Sequence, residues 1–80
     1  MKNSTSKIKR YNHPFDTNIF VAIELTASLD SDHLQVTVYE INCGEITPQN
    51  EYTHLNVEDA VTRFETERKR FVRLGYESRN

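Results

Sequence analysis

The sequence predicts an α+β domain: an antiparallel sheet of three to four strands with one C-terminal helix packed across one face. Three observations lead there. Residues 18–29 and 33–42 alternate apolar and polar side chains with the period of half-buried strands. A later run, 57–74, carries its apolar residues at helical spacing. The strands also precede the helix, without the β-α-β alternation that builds a parallel sheet. At 80 residues the chain is one small domain, and one sheet on one helix is about the most complex arrangement such a core supports.

Residues 1–17 read as a basic arm. The opening MKNSTSK is small, polar and basic, and is expected to fray. Ile8, Tyr11 and Phe15 add apolar anchors at irregular spacing, so the arm is either a short edge strand or an extended segment lying on the body. Pro14 interrupts it, because proline donates no backbone hydrogen bond.

The body spans 18–76. In its first strand Ile19, Val21, Ile23, Leu25, Ala27 and Leu29 share one face, with Phe20, Ala22, Glu24, Thr26 and Ser28 on the other. Asp30-Ser31-Asp32 is a turn, since short polar side chains there bond their own backbone. The next strand, 33–42, points Leu34, Val36 and Val38 inward and Gln35, Thr37, Tyr39 and Ile41 outward. Asn42-Cys43-Gly44-Glu45 reads as a second turn, with Gly44 taking positive φ at little cost. A short strand near Glu45–Thr47 is expected to stop at Pro48, and Glu51–Leu55 to return as a fourth strand.

Asn56 suits the N-cap of a helix, with Asp59 in the capping-box position three residues on. Val57, Ala60, Val61, Phe64, Phe71 and Leu74 form its apolar stripe. Glu58 and Asp59 sit at the positive end of the helix dipole; Arg68, Lys69, Arg70 and Arg73 sit at the negative end. Gly75 closes the helix and Tyr76 folds back on its last turn. Residues 77–80 read as a tail.

Charge is segregated along this chain. Between Tyr11 and Thr62 there is no Lys or Arg, but there are nine carboxylates. The ends are cationic: four bases in residues 1–10, and six bases less three carboxylates over 63–80. A net charge of −2 therefore hides a directional field, which steers encounters with a partner of complementary pattern. A single Cys43 excludes an internal disulfide and suits a reducing, cytoplasmic setting. No run approaches the roughly 18 apolar residues of a membrane span, and the polar N-terminus does not read as a signal peptide.

No catalytic or metal-binding constellation is legible, and the chain is expected to be neither an enzyme nor a cofactor protein. Cys43 and His13, His33 or His54 are the residue types of a thiol nucleophile and base, but no flanking signature accompanies them. The histidines lack metal-ligand spacing, the acidic residues form no calcium loop, and Gly44 and Gly75 are too few for a phosphate cradle.

Over residues 18–76 the chain resembles the WGR domain, a small antiparallel sheet with one helix found in nucleic-acid-associated proteins. The likeness rests on a strand (IFVAIELT), its hairpin partner (LQVTVYEI), a glycine turn (NCGEI), a capped helix start (LNVEDAVTRF) and a basic helix end with Gly-Tyr (RKRFVRLGY). Where that family has Trp-Gly-Arg, this chain has Tyr39-Glu40-Ile41, with isoleucine in place of the arginine and a glutamate beside it. The resemblance therefore implies the fold more than the contact with nucleic acid. By type, a small acidic α+β protein is also similar to phage-encoded inhibitors, including anti-CRISPR proteins.

Two expectations follow. The first is a binding protein that docks an acidic surface on a basic protein or nucleoprotein partner, through Asp30, Asp32, Glu40, Glu45 and Glu51 with Tyr39 as aromatic anchor. The second is a nucleic-acid binder that sets Lys7, Lys9, Arg10, Arg68, Lys69, Arg70 and Arg73 on phosphates. The sequence pI of 5.9 and the absence of tryptophan weigh against the second.

Overall fold

Residues 3–28 and 33–79 are described by the computed structural model. Four strands, β1 (Asn3–Asn12), β2 (Ile19–Ser28), β3 (Leu34–Asn42) and β4 (Glu45–His54), precede helix α1 (Val57–Arg73), and a short strand β5 (Glu77–Arg79) follows it. The strands form one antiparallel sheet in the order β4-β3-β2-β1-β5, and α1 lies across one face, so the fold is α+β.

Register decides which side chains meet the helix, because residues directly opposite in an antiparallel pair share a face. Tyr11 faces Val21, Ile23 faces Val38 and Leu25 faces Val36. These six are buried, and they close against Ala60, Phe64 and Phe71 of α1. Aromatic contacts seal the helix C-terminal end: Tyr11 stacks on Phe71, which meets Tyr76 edge-on at 5.0 Å.

Both helix ends are satisfied locally. The Asn56 side chain accepts the Asp59 backbone N–H at 2.8 Å and donates to the Asp59 carboxylate at 3.1 Å. Asn56→Ala is accordingly expected to lower stability by about 1 kcal/mol, readable as a shifted urea midpoint at unchanged slope. At the other end Gly75 takes φ +96°, its N–H reaching the Val72 carbonyl and the Tyr76 N–H reaching that of Phe71.

Four sequence expectations are corrected. The arm takes the strand form, one of the two expected, but it is ten residues long rather than short, paired to β2 with a register shift between Thr5 and Lys7 and paired to β5 at Arg10–Asn12. The tail supplies that partner, since residues 77–79 form β5. Strand β4 runs unbroken through Pro48, which lies opposite Tyr39 where the register slips after Val38. An edge strand with a bulge tolerates the missing N–H. The helix stripe is narrower than expected: Ala60, Phe64, Glu67 and Phe71 are buried, while Val57, Val61 and Leu74 are exposed. The expected turn at Asp30-Ser31-Asp32 lies outside the described residues. In the second turn Cys43 and Gly44 both have positive φ, as a two-residue type I′ hairpin requires.

Candidate binding surfaces

The structure divides the expected acidic set between two faces. Glu40 stands opposite Thr47 on the helix side of the sheet, and Glu45 stands opposite Asn42 on that same side. Together they make an acidic corner beside the β3–β4 turn. Tyr39 and Glu51 face the other way, opposite Ala22 and Thr37. Asp30 and Asp32 lie outside the described residues, but the strand ends that they join, Ser28 and Leu34, are at the far end of the sheet from Glu40 and Glu45. Glu45 and Glu51 are exposed on the edge strand, Glu40 is half-buried, and none of the three makes an ion pair among the described residues.

The basic residues behave differently. Lys7 Nζ lies 3.4 Å from Glu65 and 5.0 Å from the centre of the Phe64 ring, tying β1 to the helix. Arg68 Nε holds the same carboxylate at 2.7 Å. The hydrogen bond from Arg68 is the chief cause that keeps the Glu65 carboxyl below its ordinary pKa; burial opposes it, and the Arg68 charge and Lys7 add to the lowering. In return Glu65 raises the Arg68 pKa above its ordinary value. Glu67 is buried within the apolar stripe and is held by Arg70 at 2.8 Å and Arg63 at 3.7 Å. Sequence reading passed over Glu67 as polar, yet its position between Phe64 and Phe71 on one helix face was the available signal.

The remaining cations do not share a face. Lys9 lies over the Tyr11 ring at 5.9 Å on the helix side of β1, whereas Arg10 faces the outer side. Lys69 and Arg73 are exposed on α1 and make no ion pair among the described residues. Of the seven residues expected to contact phosphate, Lys7, Arg68 and Arg70 are already engaged by carboxylates.

The sheet's outer face carries an apolar cluster that no described segment covers. Ile8, Phe20, Ala22, Tyr39, Ile41 and Ile46 line a shallow groove of about 400 Å³, together with Arg10 and Glu24. The Arg79 guanidinium stacks over Phe20 at 4.0 Å. The Tyr39 hydroxyl donates to Glu24 at 3.1 Å; burial first, then the Glu24 charge, pushes the phenol pKa up, so it stays protonated as a donor. Ile8 and Arg10 were expected only as an anchor and a phosphate contact of the arm, and Ile46 and Arg79 were not singled out, because β4 was read as stopping at Pro48 and β5 as a tail.

The thiol and imidazoles are dispersed. Cys43 is exposed in the β3–β4 turn, and its N–H bonds the Asn18 carbonyl at 3.0 Å. His13 Nδ1 accepts the backbone N–H groups of Phe15 and Asp16, and its ring meets Tyr76 at 5.3 Å, so it fastens the β1–β2 loop to the helix end. His33 and His54 lie at the opposite end of the sheet from Cys43. Among the described residues no three of His, Cys, Asp and Glu gather where they could hold a metal ion. No helix of the described residues is long and apolar enough to cross a membrane. No protein-family model matches the chain, and no curated protein or solved structure is found to be similar to it.

Proposed function

We propose that this chain is a non-enzymatic binding protein that docks its acidic β3–β4 corner on a basic protein or nucleoprotein partner. Glu40 and Glu45 are its centre, and Glu51 extends it around the edge strand. The role that suits such a protein is inhibition by occupying a basic surface, in the manner of phage-encoded anti-CRISPR proteins, in the cytoplasm of a bacterial host.

The observation that carries this reading is a difference in pairing. Three of the seven cations of the nucleic-acid alternative, Lys7, Arg68 and Arg70, are held by carboxylates, Lys9, Arg10, Lys69 and Arg73 being the others. None of Glu40, Glu45 and Glu51 is held by a cation among the described residues. Unpaired carboxylates, exposed at Glu45 and Glu51 and half-buried at Glu40, can meet a partner's Arg or Lys without breaking an ion pair. Phosphate binding through Lys7, Arg68 and Arg70 would first have to release those pairs, and the nearby carboxylates would repel the phosphate.

The test is capture on the immobilised full chain from an extract of the source cell or its host, with and without nuclease. A protein retained after nuclease treatment, and lost when Glu40→Lys is combined with Glu45→Lys, is the expected result. Retention that nuclease abolishes would overturn this reading and move the function to the WGR-like nucleic-acid alternative.

A further inference from the structure

We infer that Phe15 is the apolar anchor of the acidic docking surface, seating its ring in an apolar pocket beside the basic patch of the partner protein. This rests on the docking reading of Glu40 and Glu45. It adds a second requirement on the partner, a pocket for one aromatic ring close to the arginines or lysines that meet the corner.

Sequence reading makes Phe15 an anchor of the arm on the body. The structure instead leaves it 92% exposed, more than any other large apolar residue described. A single apolar side chain at a surface needs no explanation, but the way this one is held does. His13 Nδ1 accepts the backbone N–H of Phe15 at 3.0 Å and that of Asp16 at 3.1 Å. The Asp16 carboxylate accepts the Asn18 N–H at 2.9 Å, and the Asp16 carbonyl accepts the Ile19 N–H at 3.2 Å. The His13 ring meets Tyr76 edge-on, and Pro14 lies beside Gly75 at the helix end. The loop is braced from within and against α1, and the phenyl ring projects from it into water. A side chain fixed before contact loses less conformational freedom on binding than one on a mobile loop.

Position ties this ring to the acidic corner. The β1–β2 loop and the β3–β4 turn lie at the same end of the sheet, since Asn12 stands opposite Phe20, Phe20 opposite Ile41 and Ile41 opposite Ile46. The Cys43 N–H donates to the Asn18 carbonyl at 3.0 Å and joins turn to loop directly. From β1 to β4 is three strand spacings, about 15 Å. One partner's share of a standard interface, about 800 Å², is about 30 Å across. A single partner surface therefore covers both the ring and the corner.

The corner needs such a group. Exposed carboxylates act mainly on the rate of association, whereas slow dissociation comes from a well-packed anchor that is desolvated in the complex. Tyr39, the anchor expected from sequence, faces the outer side of the sheet, while Glu40 and Glu45 face the helix side. Phe15 is exposed, braced and at the same end as the two carboxylates.

The test uses the protein that the immobilised full chain retains from nuclease-treated extract, identified by mass and purified. Phe15→Ala is expected to weaken its binding at least about tenfold, chiefly through faster dissociation, with the salt dependence of the parent. The melting temperature should be little changed, because the side chain is exposed. Phe15→Leu, which also fills an apolar pocket, should keep most of the affinity. A benzophenone side chain placed at position 15 should crosslink to the bound protein on irradiation. The same group at position 55, exposed at the far end of the sheet, should not. Phe15→Ala that binds like the parent, or crosslinking no stronger from position 15 than from 55, would overturn the inference. If Glu40→Lys with Glu45→Lys still weakens binding in that case, the docking reading stands without it. A loss with Phe15→Ala but none with the charge reversal would overturn both, because the ring would then serve a different surface.

Discussion

Phe64→Ala is expected to cost about 3–5 kcal/mol, the largest loss from any single truncation in this chain. Phe64 is 1% exposed and lies at the centre of the one core that the sheet and α1 share. A phenyl ring removed there leaves a void that the surrounding strands cannot close, since paired backbones hold their spacing. A domain of this size has only about 5–10 kcal/mol in all, so about a third or more of its stability goes. In a thermal melt the midpoint should fall by more than about 12 °C. A shift of two degrees or less would mean that the helix does not rest on the sheet as described.

Removal of residues 1–12 should abolish cooperative unfolding altogether. An arm lying on a finished body could be cut away at little cost. Here the segment is β1, hydrogen-bonded to β2 from Asn3 to Asn12 and carrying Tyr11 into the core between Val21 and Phe71. Its loss strips β2 of one ladder and leaves β5 without a partner. A chain beginning at His13 is therefore expected to show no sigmoidal melt by circular dichroism. Tyr11→Phe serves as the control. The Tyr11 hydroxyl is buried and makes no hydrogen bond of good geometry among the described residues, although the Arg68 guanidinium interacts with it, so its removal should change stability by less than about 1 kcal/mol. A truncated chain that still melts cooperatively within a few degrees of the full protein would return β1 to the status of an arm.

These two results bear on different parts of what the sequence makes legible. Alternation over 19–28 and 34–42 specified both strands, their faces and their pairing, because a period of two survives in every window of such a run. The helix was equally plain, with Asn56 and Gly75 as its punctuation. Strand β1 was obscure because its helix-facing positions include Lys7 and Lys9, whose apolar stems lie along the core while the ammonium groups reach Glu65 and the Tyr11 ring. Strand β5 is three residues, too short for any period to register. Pro48 hid the continuity of β4, since a bulge on an edge strand leaves no mark in a local pattern. For the binding surfaces, the sequence supplied the segregation of charge but not its pairing. Whether an arginine on α1 is free or held by Glu65 or Glu67 depends on rotamer and packing. The sequence also listed Tyr39 beside Glu40, although neighbours in a strand face opposite ways, and only the sheet separates them into two surfaces.

The claim that the acidic corner is the working surface is tested most directly by affinity for the captured protein, measured at about 50 and 150 mM salt. Three forms should be compared: the parent chain, Glu40→Lys with Glu45→Lys, and Lys69→Glu with Arg73→Glu. The acidic-corner variant is expected to bind at least tenfold more weakly and to lose most of its salt dependence, while the helix variant binds as tightly as the parent. The opposite pattern, with affinity preserved after reversal at Glu40 and Glu45 but lost after reversal at Lys69 and Arg73, would contradict the claim and make the basic helix end the docking surface.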